Sequence, residues 1–196
     1  MALRKLKNTL ENLEKHLAAM DDKTFFAHLG TSIEELRAMA EAQEKRGKHM
    51  ILIIAVDDNN GLAFNRRRQS QDRILREKIL NICKGNRLWV TPYSAKQFDG
   101  MSYCPELNVS DEPLQEAVNG EYVFAENMLL HDFEKWIEKI IVFRWNRCYP
   151  SNLQFDIDVK NPARWKHVQT EDFAGFSHDK ITMDVYERIV SDQKNH

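Results

Sequence analysis

The period of the apolar positions changes at Met50. Before it, Leu3, Leu6, Leu10, Leu13, Leu17 and Met20 alternate spacings of three and four, which puts them on one helical stripe. Asp21-Asp22 breaks the stripe, and Phe25, Phe26 and Leu29 make an apolar corner before Gly30. Thr31 followed by Glu34 is a capping-box start for a second helix to about Arg46, with Ile33, Leu36 and Met39 inward. Residues 1–49 therefore read as a helical hairpin. It packs on its own domain, pairs with a second copy in a homodimer, or serves as a partner-binding arm. Gly47-Lys48-His49 is the joint to a second domain over residues 50–196.

From Met50 onward strands alternate with helices. Ile51 to Val56 is a continuous apolar run rich in β-branched residues, the pattern of a strand buried on both faces. Asp57-Asp58-Asn59-Asn60-Gly61 stops it with turn formers. The spacing then predicts a helix over 71–83, a strand at 87–90, a short helix from Ser94 to Phe98, and loop over 99–108. A short helix follows from Ser110 to a stop at Asn119-Gly120, then a strand at 121–124 and a helix over 126–136. Further strands fall at 139–145, 165–170 and 181–189, the last pair separated by a polar loop over 171–180. This order predicts an α/β fold whose central sheet is mainly parallel with an antiparallel edge.

Charge narrows the function classes. Twenty-eight basic residues against 30 acidic ones leave no global field to gather nucleic acid or anionic membrane, so such binding would need a local patch. Cys83, Cys104 and Cys148 are dispersed and odd in number, which argues against a disulfide framework or a zinc site and for a reducing cytoplasm. The apolar run at Met50 is too short to span a bilayer, and the charged leucine repeat at the start is not a signal peptide.

Residues 50–196 resemble the dihydrofolate reductase family. The family's first strand ends in a V-D-x-x-x-G turn, matched by Val56-Asp57-Asp58-Asn59-Asn60-Gly61. Its L-P-x-D place is taken by Gln69-Ser70-Gln71-Asp72, which carries the proton-donating carboxylate over to Asp72. Thr91-Pro92-Tyr93-Ser94 stands where the family has G-R-x-T, and Phe124-Ala125-Glu126-Asn127 where it has I-G-G-G. Phe155, Trp165 and the closing Val185-Tyr186-Glu187-Arg188 echo the late strands. The resemblance implies a dihydrofolate reductase-like sheet and a site at its mouth, with Asp72 as an acid/base of raised pKa. Asp57, Asn65, Arg67, Arg68, Arg73, Tyr93 and Ser94 would hold the ligand, and Ala125, Glu126 and Asn127 mark a degenerate cofactor turn. The chain is also similar to short bacterial proteins labelled ribonuclease Z, without the H-x-H-x-D-H zinc motif that label implies.

The departures bear on activity. The glycines that let a pyrophosphate approach are Ala125 and Glu126 here, and the arginine used for the cofactor's extra phosphate is Pro92. The expectation is a divergent protein that binds a small anionic pterin-like or nucleotide-like ligand, with ordinary NADPH-dependent reduction lost. The alternative is a nucleic-acid or protein-binding module built on Arg66, Arg67, Arg68 and Arg73, with RNA processing as its furthest extension. Each candidate has a structural reading beside the functional one. Asp72 also suits a helix N-terminus, the arginines a solvated loop, and Glu126 with Asn127 a helix cap. Trp89, Trp145 and Tyr149 suit either stacking on a heterocycle or core packing.

Overall fold

Strand β1 (Met50–Val56) is the centre of the fold, and its alternation of side chains divides the core in two. Met50, Leu52, Ile54 and Val56 enter one cluster with Leu62, Leu130, Phe155 and Trp165. Ile53, flanked by Ile51 and Ala55, enters the other with Leu75, Ile79 and Leu80 from the first helix. Each such side chain taken fully out of water stabilises the fold by about 1.5–3 kcal/mol. A strand this apolar on both faces belongs inside a parallel sheet.

The computed structural model describes residues 49–101 and 106–189. The chain divides into units Met1–Lys48 and His49–His196, and the described residues belong to the second. The hairpin expected over residues 1–49 lies outside them, His49 apart.

After β1 come β2 (Gly61–Phe64), β3 (Arg67–Arg68), helix α1 (Arg73–Ile82), β4 (Arg87–Val90), α2 (Pro92–Ala95), β5 (Glu106–Val109), α3 (Pro113–Glu116) and β6 (Tyr122–Phe124). A 3-10 turn, His131–Trp136, leads to β7 (Ile137–Arg144), β8 (Leu153–Gln154), β9 (Trp165–Phe173) and β10 (Ile181–Arg188). The main sheet has the order β5-β4-β6-β1-β7-β10-β9, and β3-β2-β8 make a small second sheet. The pairs from β5 through β7 are parallel, whereas β7 with β10 and β10 with β9 are antiparallel. The expected α/β class and mainly parallel sheet with an antiparallel edge are what the chain adopts.

Several expected elements differ. Residues 126–136 do not form one helix: only His131–Trp136 winds, as a 3-10 turn. The cause lies in two carboxylates. Glu126 turns inward, and Asp156 takes the free N–H groups of Leu130 and His131, so the chain is capped at 130 instead of 126. The stretch expected as loop over 99–108 ends in β5, which pairs from Arg87↔Glu106 to Val90↔Val109. The polar loop 171–180 is shorter than expected, because Glu171, Asp172 and Phe173 continue β9 against Met183, Thr182 and Ile181. The β2–β3 hairpin turns at Asn65-Arg66, both at positive φ (50° and 62°), the signature of a tight type I′ turn.

Candidate functional site

Strands β1, β4, β6 and β7 run parallel, so their carboxyl ends lie along one edge of the sheet. The segments that leave this edge begin at Asp57, Thr91, Ala125 and Trp145. Ligands of open α/β sheets bind along such an edge, because backbone and side chains from several strands converge there.

Asp57 is fully buried at the end of β1. It accepts from Asn59 N at 2.9 Å, Gly61 N at 2.7 Å, Gln69 Nε2 at 3.1 Å and Tyr149 N at 2.9 Å. These bonds fix the turn after β1 and tie it to the segment after β7. Gly61 is required here, since a methyl group would stand 2.4 Å from Gln69 Nε2 and 2.7 Å from Ser151 Cβ.

Asp72 N-caps α1, its Oδ1 accepting from Ile74 N at 2.9 Å and, more weakly, from Leu75 N at 3.4 Å. The loop after β9 closes over the same carboxylate. Phe176 N donates to Oδ1 at 2.9 Å, Ser177 N to Oδ2 at 2.7 Å, and Ser177 Oγ to Oδ2 at 3.1 Å. His178 Nδ1 lies 3.2 Å from Oδ2. Burial pushes the Asp72 carboxyl up, but the N–H groups of Phe176 and Ser177, His178 and the Ser177 hydroxyl outweigh it, so it sits below the usual carboxylate range. The expected raised pKa is thereby corrected: a carboxylate whose oxygens both accept several donors is held as the anion.

His178 is itself buried, stacked on Trp145 with ring centroids 4.7 Å apart. Because the Asp72 carboxylate faces Nδ1, the neutral ring carries its proton there and leaves Nε2 as an acceptor. Two hydroxyls reach Nε2, Ser70 Oγ and Tyr149 Oη, each at 3.1 Å.

Glu126, only 5 % exposed, accepts from Ser94 Oγ at 2.7 Å, Gln97 Nε2 at 2.8 Å and Arg68 Nε at 3.1 Å. Burial pushes its carboxyl up, partly offset by Ser94, Arg68 and Gln97. Arg68 is held over the Tyr93 ring, 4.3 Å from guanidinium carbon to centroid, and its backbone N–H donates to Tyr93 Oη at 3.1 Å. Thr91 caps α2 through Ser94 N and Pro92 opens it, which aims Ser94 at Glu126. The peptide into Glu126 is trans, as are all described peptides.

Phe64, Asn65, Arg67, Arg68, Gln69, Tyr149 and Pro150 line a cleft of about 490 Å³ beside this network. The structure thus brings together Asn65, Arg67 and Arg68, with Tyr93 and Ser94 bracing Arg68 and Glu126 from behind. Asp57 holds the cleft's two walls rather than facing a ligand. Asn65 exchanges bonds with Asn152, its N–H to Oδ1 at 3.0 Å and its Oδ1 from Nδ2 at 3.1 Å. Arg73 does not join the group. It lies 3.7 Å from Glu77, stacks over Phe176 at 4.6 Å, and lines a separate groove with Arg76, Gln97 and Asp99. Ala125 is buried, its N–H donating to Ile53 O at 3.0 Å, and Asn127 is half-buried. Trp145 is core, and Trp89 donates to Glu121 Oε2 at 2.7 Å. Sequence reasoning missed His178, Ser177 and Gln97. His178 is 106 residues from Asp72, and no local pattern marks it.

Among the described residues no group of three or more His, Cys, Asp or Glu could hold a metal ion, and no helix is long and apolar enough to cross a membrane. No family model and no curated protein matches the sequence. Among solved structures, a dihydrofolate reductase from Enterococcus faecalis, complexed with NADP(H) and RAB-propyl, matches with a TM-score of 0.52 at 10% identity. That match covers 72% of this chain and 97% of the reductase. The ribonuclease label finds no support in it. What the chain shares with that enzyme is its architecture: it has a dihydrofolate reductase-like fold.

Proposed function

We propose that the chain binds a small anionic ligand, pterin-like or nucleotide-like, in the cleft between the β2–β3 hairpin and the segment after β7. The observation that carries this reading is the contrast between neighbouring arginines. Arg68 is committed to Glu126, whereas exposed Arg67 on the same cleft has no ion-pair partner among the described residues. A carboxylate or single phosphate entering there would gain a charge-assisted, bidentate partner. The Tyr149 ring supplies an apolar wall for a flat heterocycle.

On this reading ordinary NADPH-dependent reduction is not the activity. The turn that the resemblance assigns to the cofactor pyrophosphate carries the Glu126 carboxylate, already bonded to Arg68, Ser94 and Gln97. Because Arg68 is spent on that carboxylate, the turn offers a pyrophosphate no net positive charge, and with Ala125 and Glu126 in it no glycine to lie against. The residues present do not fit that group.

A thermal-shift panel of folate, dihydrofolate, mononucleotides, NADPH and short RNA tests the proposal, since a ligand at 100 times its Kd adds about 2.7 kcal/mol to the folded state. Folate or a mononucleotide should raise the midpoint, with little loss as salt rises. Stabilisation by micromolar NADPH overturns the excluded activity. Stabilisation by RNA alone, falling steeply with salt, overturns the small-ligand reading in favour of nucleic acid.

A further inference from the structure

The groups Asp72, His178 and Tyr149 form a line from the buried start of α1 to the cleft. Asp72 Oδ2 lies 3.2 Å from His178 Nδ1, and His178 Nε2 lies 3.1 Å from Tyr149 Oη. Among the described residues, Tyr149 is the side chain that both lines the cleft and touches His178. Its main chain is fixed as well, since its backbone N–H donates to Asp57 Oδ2 at 2.9 Å. His178 cannot turn away easily, being stacked on Trp145 and covered by the loop that carries Gly175 to Ser177. The groups facing the imidazole are therefore Asp72 and Ser177 at Nδ1, Ser70 and Tyr149 at Nε2, and the Trp145 face.

We propose that Tyr149 is the proton-transfer group of the cleft, with His178 as the base behind it and Asp72 as the residue that positions His178. The proposal rests on the cleft being a ligand site. An oxygen or nitrogen of the bound ligand gives its proton to the Tyr149 oxygen while the phenolic proton passes to His178 Nε2. The ligand loses one proton, Tyr149 exchanges one for another, and His178 becomes an imidazolium beside the Asp72 carboxylate. Run backwards, the same path delivers a proton to the ligand. The ligand class is accordingly an anionic heterocycle with an ionisable ring nitrogen or enol oxygen. Asp72, whose oxygens are filled by protein donors, acts only through His178. Ser70 competes for Nε2 at the same distance but does not line the cleft.

A neutral electrophile tests this without knowledge of the ligand. Benzenesulfonyl fluoride reacts with a hydroxyl whose proton has a base to go to: the oxygen–sulfur bond forms, the sulfur–fluorine bond breaks, fluoride leaves, and the proton goes to His178. Intact mass and peptide mapping should find a single label on Tyr149. Its rate should level off well below the pH of about 10 at which an unassisted phenol ionises. His178→Gln should slow labelling by about a hundredfold, the lower end of what a positioned base supplies. Because that variant removes a buried ring, the pH profile of the unaltered protein tests the base independently. A label on Ser70 instead of Tyr149, no label, or a rate that climbs to pH 10 overturns the relay. Labelling of Tyr149 with no ligand stabilising the fold would sink the cleft reading alone. A stabilising ligand without the label would sink the relay alone.

Discussion

Arg68 Nε stands 3.1 Å from Glu126 Oε1 across the base of the cleft, although 58 residues separate them in sequence. Both are largely withdrawn from solvent, with side-chain exposures of 17% and 6%. Removing one partner of such a pair costs more than the pair itself contributes, because the other charge stays buried. Arg68→Met should therefore destabilise the fold by about 3 kcal/mol at pH 8, read as a fall in chemical-denaturation midpoint. Burial already raises the Glu126 carboxyl, so its folded form favours the proton. Stability from such a group is greatest below its unfolded value of about 4.3 and is lost as pH rises through the folded value. Without Arg68 the carboxyl takes up its proton more readily, so the Arg68→Met deficit should shrink as pH falls from 8 toward 5. An equal deficit at both pH values would show that Glu126 is not the source.

Asp72 carries the opposite sign. Its carboxyl is held below the usual range, so its contribution is fully present above the unfolded value of about 3.9 and is lost as pH falls through the folded one. Asp72→Asn puts an NH₂ group in place of one carboxylate oxygen, facing either Phe176 N at the Oδ1 position or Ser177 N at the Oδ2 position, and should cost about 3 kcal/mol near neutrality. The gap between the thermal melts of the two proteins should narrow as pH falls below about 4. A gap that persists undiminished at the acid end would mean the carboxylate charge is not what the loop binds.

Gly175 decides how closely that loop can approach. A methyl group there would stand 2.6 Å from Asp72 Oδ2 and 3.0 Å from Ile181 Cδ1. The carboxylate is held by α1 as well as by the loop, so the loop must move. Gly175→Ala should cost about 1–3 kcal/mol. Hydrogen exchange should quicken at the amides of Phe176 and Ser177, which donate to Asp72, while β1 and β7 keep their protection. Unchanged exchange at those amides would refute the close fit.

The same contacts show what could be read from the chain. β1, β4, β6, β7 and β10 were legible because apolar, β-branched runs bounded by turn residues have few alternatives to a buried strand. The hairpin of β2 and β3 was not. Its strands are short, and Asn65-Arg66 lacks the glycine that usually announces such a turn. The helix expected over 126–136 failed because tertiary partners, Arg68 and Asp156, claimed the groups on which its start depended. In the site, Asp72 was visible as the helix-start acid it proves to be, while the expected grouping of Arg73 with Arg67 and Arg68 was not met. Strand order, not local sequence, brings His178 to Asp72, and a lone histidine in a polar loop announces nothing.

The cysteines offer a readout of α1 that needs no ligand. Cys83 caps the end of α1 and is fully buried, which pushes its thiol up to about 12; Cys148 is exposed. The thiolate is the reactive form, and at pH 8 a thiol of that kind is ionised in roughly one molecule in ten thousand. Access is closed as well, since Cys83 packs among Leu75, Ile79 and Leu80. Iodoacetamide at pH 8 should alkylate Cys148 in the folded protein and leave Cys83 untouched until denaturant releases the helix. Peptide mapping across a denaturant series would then follow α1 directly, with Cys83 labelling tracking the global transition. Because Asp72 caps the other end of the same helix, Asp72→Asn should move the Cys83 transition to lower denaturant. Alkylation of Cys83 in the native protein at the rate of Cys148 would mean that α1 opens without global unfolding, and the rigid base assumed for Asp72 and His178 would go with it.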